Sequence, residues 1–354
     1  MPSEYVDFEV IISPLAESRY HVAASGPGGQ ARGVLTLPTD EPQFRALLER
    51  LERLETDHAA LVAMGDALFG RLFQDTIEHI LVASQALLGP DQSLRLKLNV
   101  DAALPEVIRL PWELLRDQRG PLALLDAPIV RFLPLPVRAP TLPVDPPLRV
   151  LLSAAQTPPP AGVERELREV QSALEALGDR VQIVVEPHLT ARRLQQHLRA
   201  GFHIWHFVGH GSVSGDGAGQ IVFEDEAGDS APLTAPELQI YLNRSGVRLI
   251  VLNACQGARL STDPFHSMAP ALIRAQVPAV VAMQFSVPEE TARAFAGEFY
   301  RTLAEGWPID ACVTEARKAV MAICGLGRAD WAIPVVYTRA PDGQLFPRTA
   351  VPAP

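Results

Sequence analysis

Two residues of this chain stand where they could form and break a covalent bond. Cys255 follows the apolar run Val247, Leu249, Ile250, Val251 and Leu252 and the short residues Asn253-Ala254. His210 closes a second apolar stretch, Phe202 to Gly209, and is followed by Gly211. The two lie 45 residues apart, room for one excursion between neighbouring strands. A thiol and an imidazole delivered to adjacent strand ends make a nucleophile and its base. Taken singly, each has a plainer reading. Cysteine packs as a small buried hydrophobe, and a strand-end histidine is commonly a hydrogen-bonded structural group. The conjunction carries the chemistry.

Both runs read as buried strands, apolar on either face as in a parallel sheet. Ligands of open α/β sheets bind outside the carboxyl ends of the strands, which is where His210 and Cys255 fall. From Leu148 onward strands and helices alternate. Strands are expected at Leu148–Ala155, Val181–Val185, the His210 run, the Cys255 run, Ala279–Phe285 and Ile333–Thr338. Helices are expected at Val163–Leu177, from a Thr190 cap to Arg199, from Pro236 to Leu242, at Met268–Ala275, Glu289–Ala304 and Ile309–Ile323. This alternation predicts an α/β fold, a six-stranded, mostly parallel sheet with helices on both faces. His210 and Cys255 end its third and fourth strands. The excursion Gly211–Asp229 reads as a small hairpin over the sheet edge.

The local pattern sharpens the reading. Asn253-Ala254-Cys255-Gln256-Gly257 meets four of the five positions of Q-A-C-[RQG]-G, the local pattern of caspases, whose histidine lies about 50 residues upstream. Residues 148–340 resemble the CHAT-domain family of caspase-like cysteine peptidases. The resemblance rests on His206-Phe207-Val208-Gly209-His210-Gly211, Leu252-Asn253-Ala254-Cys255, Val277 to Gln284, Phe299-Tyr300, Ala316-Arg317 and Asp330-Trp331. Residues 106–135, with Pro111-Trp112-Glu113 and Ile129-Val130-Arg131, are similar to the region that often precedes such domains. The helical repeats that often accompany them are absent.

The resemblance implies endopeptidase cleavage of a protein substrate through a thioester, in a bacterial regulatory or defence pathway. Cys255 would be the nucleophile and His210 the base or acid. Backbone N–H groups of Gly211 and Cys255 could form an oxyanion hole. Asn253 and Gln284 could line the substrate pocket; a neutral Asn says little about preference. The alternatives are a catalytically silent scaffold or sensor of the same fold, and another cysteine hydrolase or acyltransferase. No cofactor is expected. His203, His206 and His210 have spacings of three and four, but on a strand His203 faces away from the other two, so no metal site is expected. His206 reads as a buried, hydrogen-bonded histidine under the site, and Cys312 and Cys324 as core. Glu224, Asp225, Glu226, Asp229 and Asp263 are acidic candidates for the same substrate pocket; the plainer reading of each is a solvated loop acid.

The 354 residues suit about two domains, and 47% hydrophobic content suits large cores. A net charge of −10 offers no basic footprint for nucleic acid. No apolar run approaches the roughly 18 residues that span a membrane, and no basic-then-apolar leader opens the chain. Three cysteines, an odd number, suit a reducing compartment, so a cytoplasmic protein is expected.

Residues 1–140 read as a smaller α+β accessory domain. Strands are expected at 4–13, Tyr20–Ser25, Ala31–Pro38 and 93–100, with Arg95, Lys97 and Asn99 facing out. Helices are expected at Glu41–Thr56 and Leu61–Leu88, the second broken near its start at Gly65 or Gly70. A Glu113–Arg131 pair would be a surface pair of little worth. Pro134, Pro136, Pro140, Pro143, Pro146 and Pro147 fall within fourteen positions, predicting a stiff linker at 141–147; residues 341–354 read as a tail. The segments Gln256–Pro270 and Ser212–Gly219 flank the candidate pair and read as exposed and mobile. An activating protein partner could order them; the alternative is that both are ordinary surface loops.

Overall fold

The chain opens on three strands of alternating burial joined as an antiparallel meander: β1 (Glu4–Ala16), β2 (Arg19–Gly26) and β3 (Gly29–Thr36). Helices α1 (Pro42–Glu52), α2 (His58–Leu72) and α3 (Thr76–Ala86) follow. α2 starts on Asp57, whose side chain accepts from Ala60 N, satisfying one of the free N–H groups of a first turn. The break in the long helical stretch lies at residues 73–75, where Asp75 takes a φ of 45°, and not at Gly65 or Gly70, which remain inside α2. Strand β4 (Gln92–Val100), the single turn α4 (Pro105–Ile108), the two-residue strands β5 (Arg116–Asp117) and β6 (Gly120–Pro121), and β7 (Ile129–Phe132) complete the first part.

The second part runs β8 (Leu148–Ala154), α5 (Val163–Glu175), β9 (Val181–Glu186), α6 (Ala191–Arg199), β10 (Ile204–Gly209), β11 (Gly211–Val213), β12 (Gly219–Glu224), β13 (Ser230–Thr234), α7 (Ala235–Leu242) and β14 (Leu249–Ala254). It closes with α8 (Pro264–Arg274), β15 (Ala279–Met283), α9 (Glu289–Ala304), α10 (Ile309–Cys324) and β16 (Pro334–Thr338). The computed structural model describes residues 4–16, 18–125, 127–136, 144, 147–156, 162–215, 219–254, 264–285 and 287–347.

The six expected strands are present, in the order β16-β15-β14-β10-β8-β9, and all are parallel except β16. The sheet does not stop there. β7 pairs with β16 through Tyr337–Arg131 and Thr338–Phe132, and β4, β1, β2 and β3 extend it to eleven strands. The count of six is therefore exceeded, and strands from both sides of the Pro-rich segment share one sheet. Residues 341–347 also pack against this body, with Leu345 and Phe346 buried and Leu345 O accepting from Arg248 at 2.9 Å.

Each face of the second part has its own core. Val150, Leu152, Ile204, Val208, Leu249, Val251 and Val281 meet α5, α9 and α10. Leu151, Trp205, Phe207, Ile250, Leu252 and Val280 meet α6, α7 and α8. The period of two along each strand produces this division. Trp205, Phe207 and Phe223 make a three-ring cluster with centroids 5.8–6.1 Å apart, worth about 0.5–1.5 kcal/mol per pair beyond area burial. It fastens β12, and with it the excursion, over β10.

The seam carries buried charge that patterning assigned to the surface. Arg95 and Lys97 are buried. Arg95 donates to Asp7 at 2.7 Å and to Asp310 at 3.0 Å, and Lys97 donates to Pro341 O at 2.6 Å. Burial pushes the Asp310 carboxyl up, against the pull of Arg95. Glu113 and Arg131 are likewise no surface pair. They are 0% and 3% exposed and joined by two bonds of 3.1 and 2.8 Å.

Candidate active site

The strands β10 and β14 are neighbours, parallel and in register to their last residues. Val208 lies opposite Asn253, and Gly209 opposite Ala254. The next residues in the sequence are His210 and Cys255. Cys255 lies outside the described residues, as do Gln256 to Asp263. The strand ends on glycine for a steric reason. A Cβ on Gly209 would sit 2.7 Å from Phe207 Cζ and 3.4 Å from Ala155 O.

His210 is partly buried, just past β10, and its carbonyl accepts from Val222 N at 3.0 Å. Antiparallel ladders alternate hydrogen-bonded and non-hydrogen-bonded pairs. Residues 210 and 222 form the bonded kind, so the next pair, Gly211 and Ile221, is of the other kind. The Gly211 N–H is thereby directed away from β12.

Asn253 is 2% exposed. Its Nδ2 donates to Glu166 Oε1 at 2.8 Å, and Glu166 stands in the first turn of α5. Gln284, just past β15, is buried too. Its Nε2 donates to Ala332 O at 2.7 Å and to Glu113 Oε2 at 3.3 Å, so its amide nitrogen is engaged in the Glu113–Arg131 network. Gly211 and Asn253 thus belong to the β10–β14 strand ends, whereas Gln284 stands one strand further along the same edge.

Below the strand ends lies His206, on the face that carries Val208. It is buried, with Nδ1 2.7 Å from Tyr300 Oη on α9. Burial pulls its pKa down to about 3 and pushes the Tyr300 hydroxyl up; both stay neutral near pH 7. Among the described residues no group of His, Cys, Asp and Glu could hold a metal ion. Cys312 and Cys324 are free. Burial pushes both thiols up, and Asp330 adds to the shift at Cys324.

Glu166 escapes the sequence reading, and Glu224 and Tyr300 make contacts it did not assign to them. Glu166 has a visible signal: it lies three residues after Val163 and four before Val170, on the apolar stripe of α5. Glu224 departs from the solvated reading, being buried and accepting from Gln156 N at 2.7 Å and contacting His188 at 3.2 Å. Asp225, Glu226 and Asp229 are exposed as expected, while Asp263 is outside the described residues. Tyr300 had no signal of its own beyond its place in the family pattern. Of the two flanking segments, residues 264–270 belong to α8 and residues 212–213 to β11.

No curated protein sequence matches the chain. In fold it is similar to the Arg-specific cysteine proteinase gingipain R (RGPB) of Porphyromonas gingivalis, with a TM-score of 0.50 at 13% identity over 82% of this chain and 72% of that one. It is also similar to separase in the Saccharomyces cerevisiae separase–securin complex, with a TM-score of 0.50 at 10% identity; the match takes in 94% of this chain but 30% of that one. At such identities the likeness is one of fold, a caspase-like α/β sheet. The CHAT domain family model matches residues 62–337, beginning well before residue 148 and crossing the seam between the two parts, as the continuous sheet does. The chain belongs to the CHAT domain family.

Proposed function

We propose that the chain is a cysteine endopeptidase in which Cys255 attacks the scissile carbonyl and His210 handles the proton. One observation carries the reading. β10 and β14 are adjacent, parallel and level at their ends, so a histidine and a cysteine each follow the last residue of neighbouring strands.

The Cys255 thiolate adds to the carbonyl carbon, and the charge that develops on the oxygen is met by the N–H groups of Gly211 and Cys255. The direction of the Gly211 N–H, away from β12, supports its part. His210 protonates the leaving amine, the peptide bond breaks, and a thioester remains. Water then attacks the thioester, giving its proton to His210; the acid leaves and the thiol is restored. The other two cysteines are held protonated by burial, which favours Cys255 as the reacting thiol. Asn253 and Gln284 serve as pocket residues, and an activating protein partner completes the site. The substrate is a protein, as the proteinase fold suggests. The enzyme works in the cytoplasm, where thiols stay reduced. Among the described residues no helix is long and apolar enough to cross a membrane.

The test is proteolysis by purified chain and by Cys255→Ala. The variant is expected to fold and to cut nothing. Cleavage retained by the variant contradicts the assignment, and full biological function without any cleavage makes the chain a silent scaffold.

A further inference from the structure

The hairpin of β5 and β6 closes on α2 at Gly65, where a Cβ would run into Leu114 O. Between the hairpin, the start of α2 and the segment 326–331 lies a cavity of about 220 Å³. Leu61 and Leu114 give it buried apolar walls. Trp331 lines it too and is 2% exposed. Its indole Nε1 has no hydrogen-bond partner among the described residues, and a buried donor of this kind calls for an acceptor. Arg116, Arg119 and His58 complete the polar lining. Arg116 meets Asp66 through Nη1 alone, at 3.2 Å, which leaves Nε and Nη2 as spare donors. Arg119 holds Asp117 through Nε and Nη2, which leaves Nη1. Both of those carboxylates line a different cavity, the one between α2 and α3. Asp57, next to His58, is turned to Ala60 N and Arg50. Among the described residues that line the Trp331 cavity there is no Asp or Glu.

The polar side chains here are donors, and two of them are permanent cations. That is against the balance of a chain whose net charge is −10. We propose that the cavity is a second ligand site, taking a small organic anion. Its carboxylate or phosphate head accepts from the spare donors of Arg116 and Arg119 and from Trp331 Nε1, and its apolar body lies on Leu61 and Leu114. Guanidinium groups favour a charged acceptor over a neutral one, and a cation is repelled. Trp331 belongs to the second part and the other groups to the first, so an occupant ties the two together. None of these residues stands at the strand ends of β10 and β14, so the inference is independent of the peptidase reading. The competing account is a gap that holds only water.

The two accounts separate when the full chain is titrated with benzoate, phenyl phosphate, the neutral isostere benzamide and the cation benzylamine. The range runs to roughly 10 mM, since ligands of this size bind weakly. Calorimetry reads affinity, and the indole N–H signals of the four tryptophans read position, with Trp331→Phe identifying one of them. At least one of the two anions is expected to bind at a single site, tighter than benzamide by roughly 10-fold, and to move the Trp331 signal most. The tighter of the two names the head group. Arg116→Met keeps the apolar stem without the charge. It is expected to weaken the anion by roughly 10-fold and to leave benzamide unchanged, with thermal unfolding confirming that the variant is folded. Asp66→Asn releases Arg116 from its partner and is expected to tighten the anion. Binding of neither anion, benzamide or benzylamine bound as tightly, a response centred on another indole, or an affinity untouched by Arg116→Met leaves the cavity to water and overturns the proposal.

Discussion

Gly209 and Ala254 face each other as the last paired residues of β10 and β14. Their register decides what the two following residues can do together. A one-residue shift would turn every side chain of one strand to the opposite face and part His210 from Cys255 in depth. The register is held from below by the apolar pairs of both faces and from above by the space at Gly209. Gly209→Ala puts a methyl group against the Phe207 ring and should cost about 1–3 kcal/mol of stability. Turnover should fall beyond what the unfolded fraction explains. Denaturant titration beside initial rates checks both; an unchanged midpoint means the ring yields freely.

His206 makes stability depend on pH in a definite direction. Its pKa falls from 6.5 to about 3 on folding, so the unfolded chain takes up the proton first. The stability tied to its neutrality is complete above about pH 6.5 and is lost as pH falls toward about 3, at up to about 1.4 kcal/mol per pH unit. His206→Gln removes this contribution. The variant's stability should therefore fall less steeply than the wild type's between about pH 6 and 4, as read by urea unfolding. Parallel slopes would mean that His206 does not titrate in this window.

The Glu113–Arg131 pair lies beneath the β7–β16 junction and also receives Gln284. Arg131→Met strands a buried carboxylate and should cost roughly 3–5 kcal/mol. Adding Glu113→Leu should return part of that loss, because the stranded carboxylate is gone, though not all of it, since buried Arg317 also feels the Glu113 charge. Thermal unfolding of the single and double variants measures the coupling. Equal losses in both would mean the charge is solvated and the pair weak.

His210→Ala should reduce kcat by roughly 10²–10⁴ while the chain stays folded. A change confined to KM would make His210 a binding residue.

Much of this arrangement is written in the periodicity of the chain. The six strands of the second part stand out as apolar runs of strand length, and Thr190 marks the start of α6 by the side-chain bond it makes to Arg193 N. The same patterning misleads at β4. Arg95 and Lys97 alternate with leucines as surface residues do, yet residues distant in sequence, Asp310 and Pro341, close over them. Pairing of β7 with β16 is equally invisible, because it joins residues 131 and 337 through contacts no local period encodes. At the site, His210 is marked by the strand it follows and Asn253 by its distance from Cys255. Glu166 shows itself only as an acid on the apolar stripe of α5; its bond to Asn253 joins residues far apart in sequence, which no local period encodes.

The most direct measurement of the central claim is mass mapping after exposure to a peptide bearing a thiol-reactive electrophile in place of the scissile bond. The account predicts one adduct, on Cys255, absent in Cys255→Ala and slower to form in His210→Ala, with Cys312 and Cys324 unmodified. An adduct that forms on Cys324 instead, or labelling of Cys255 at the same rate without His210, would contradict it.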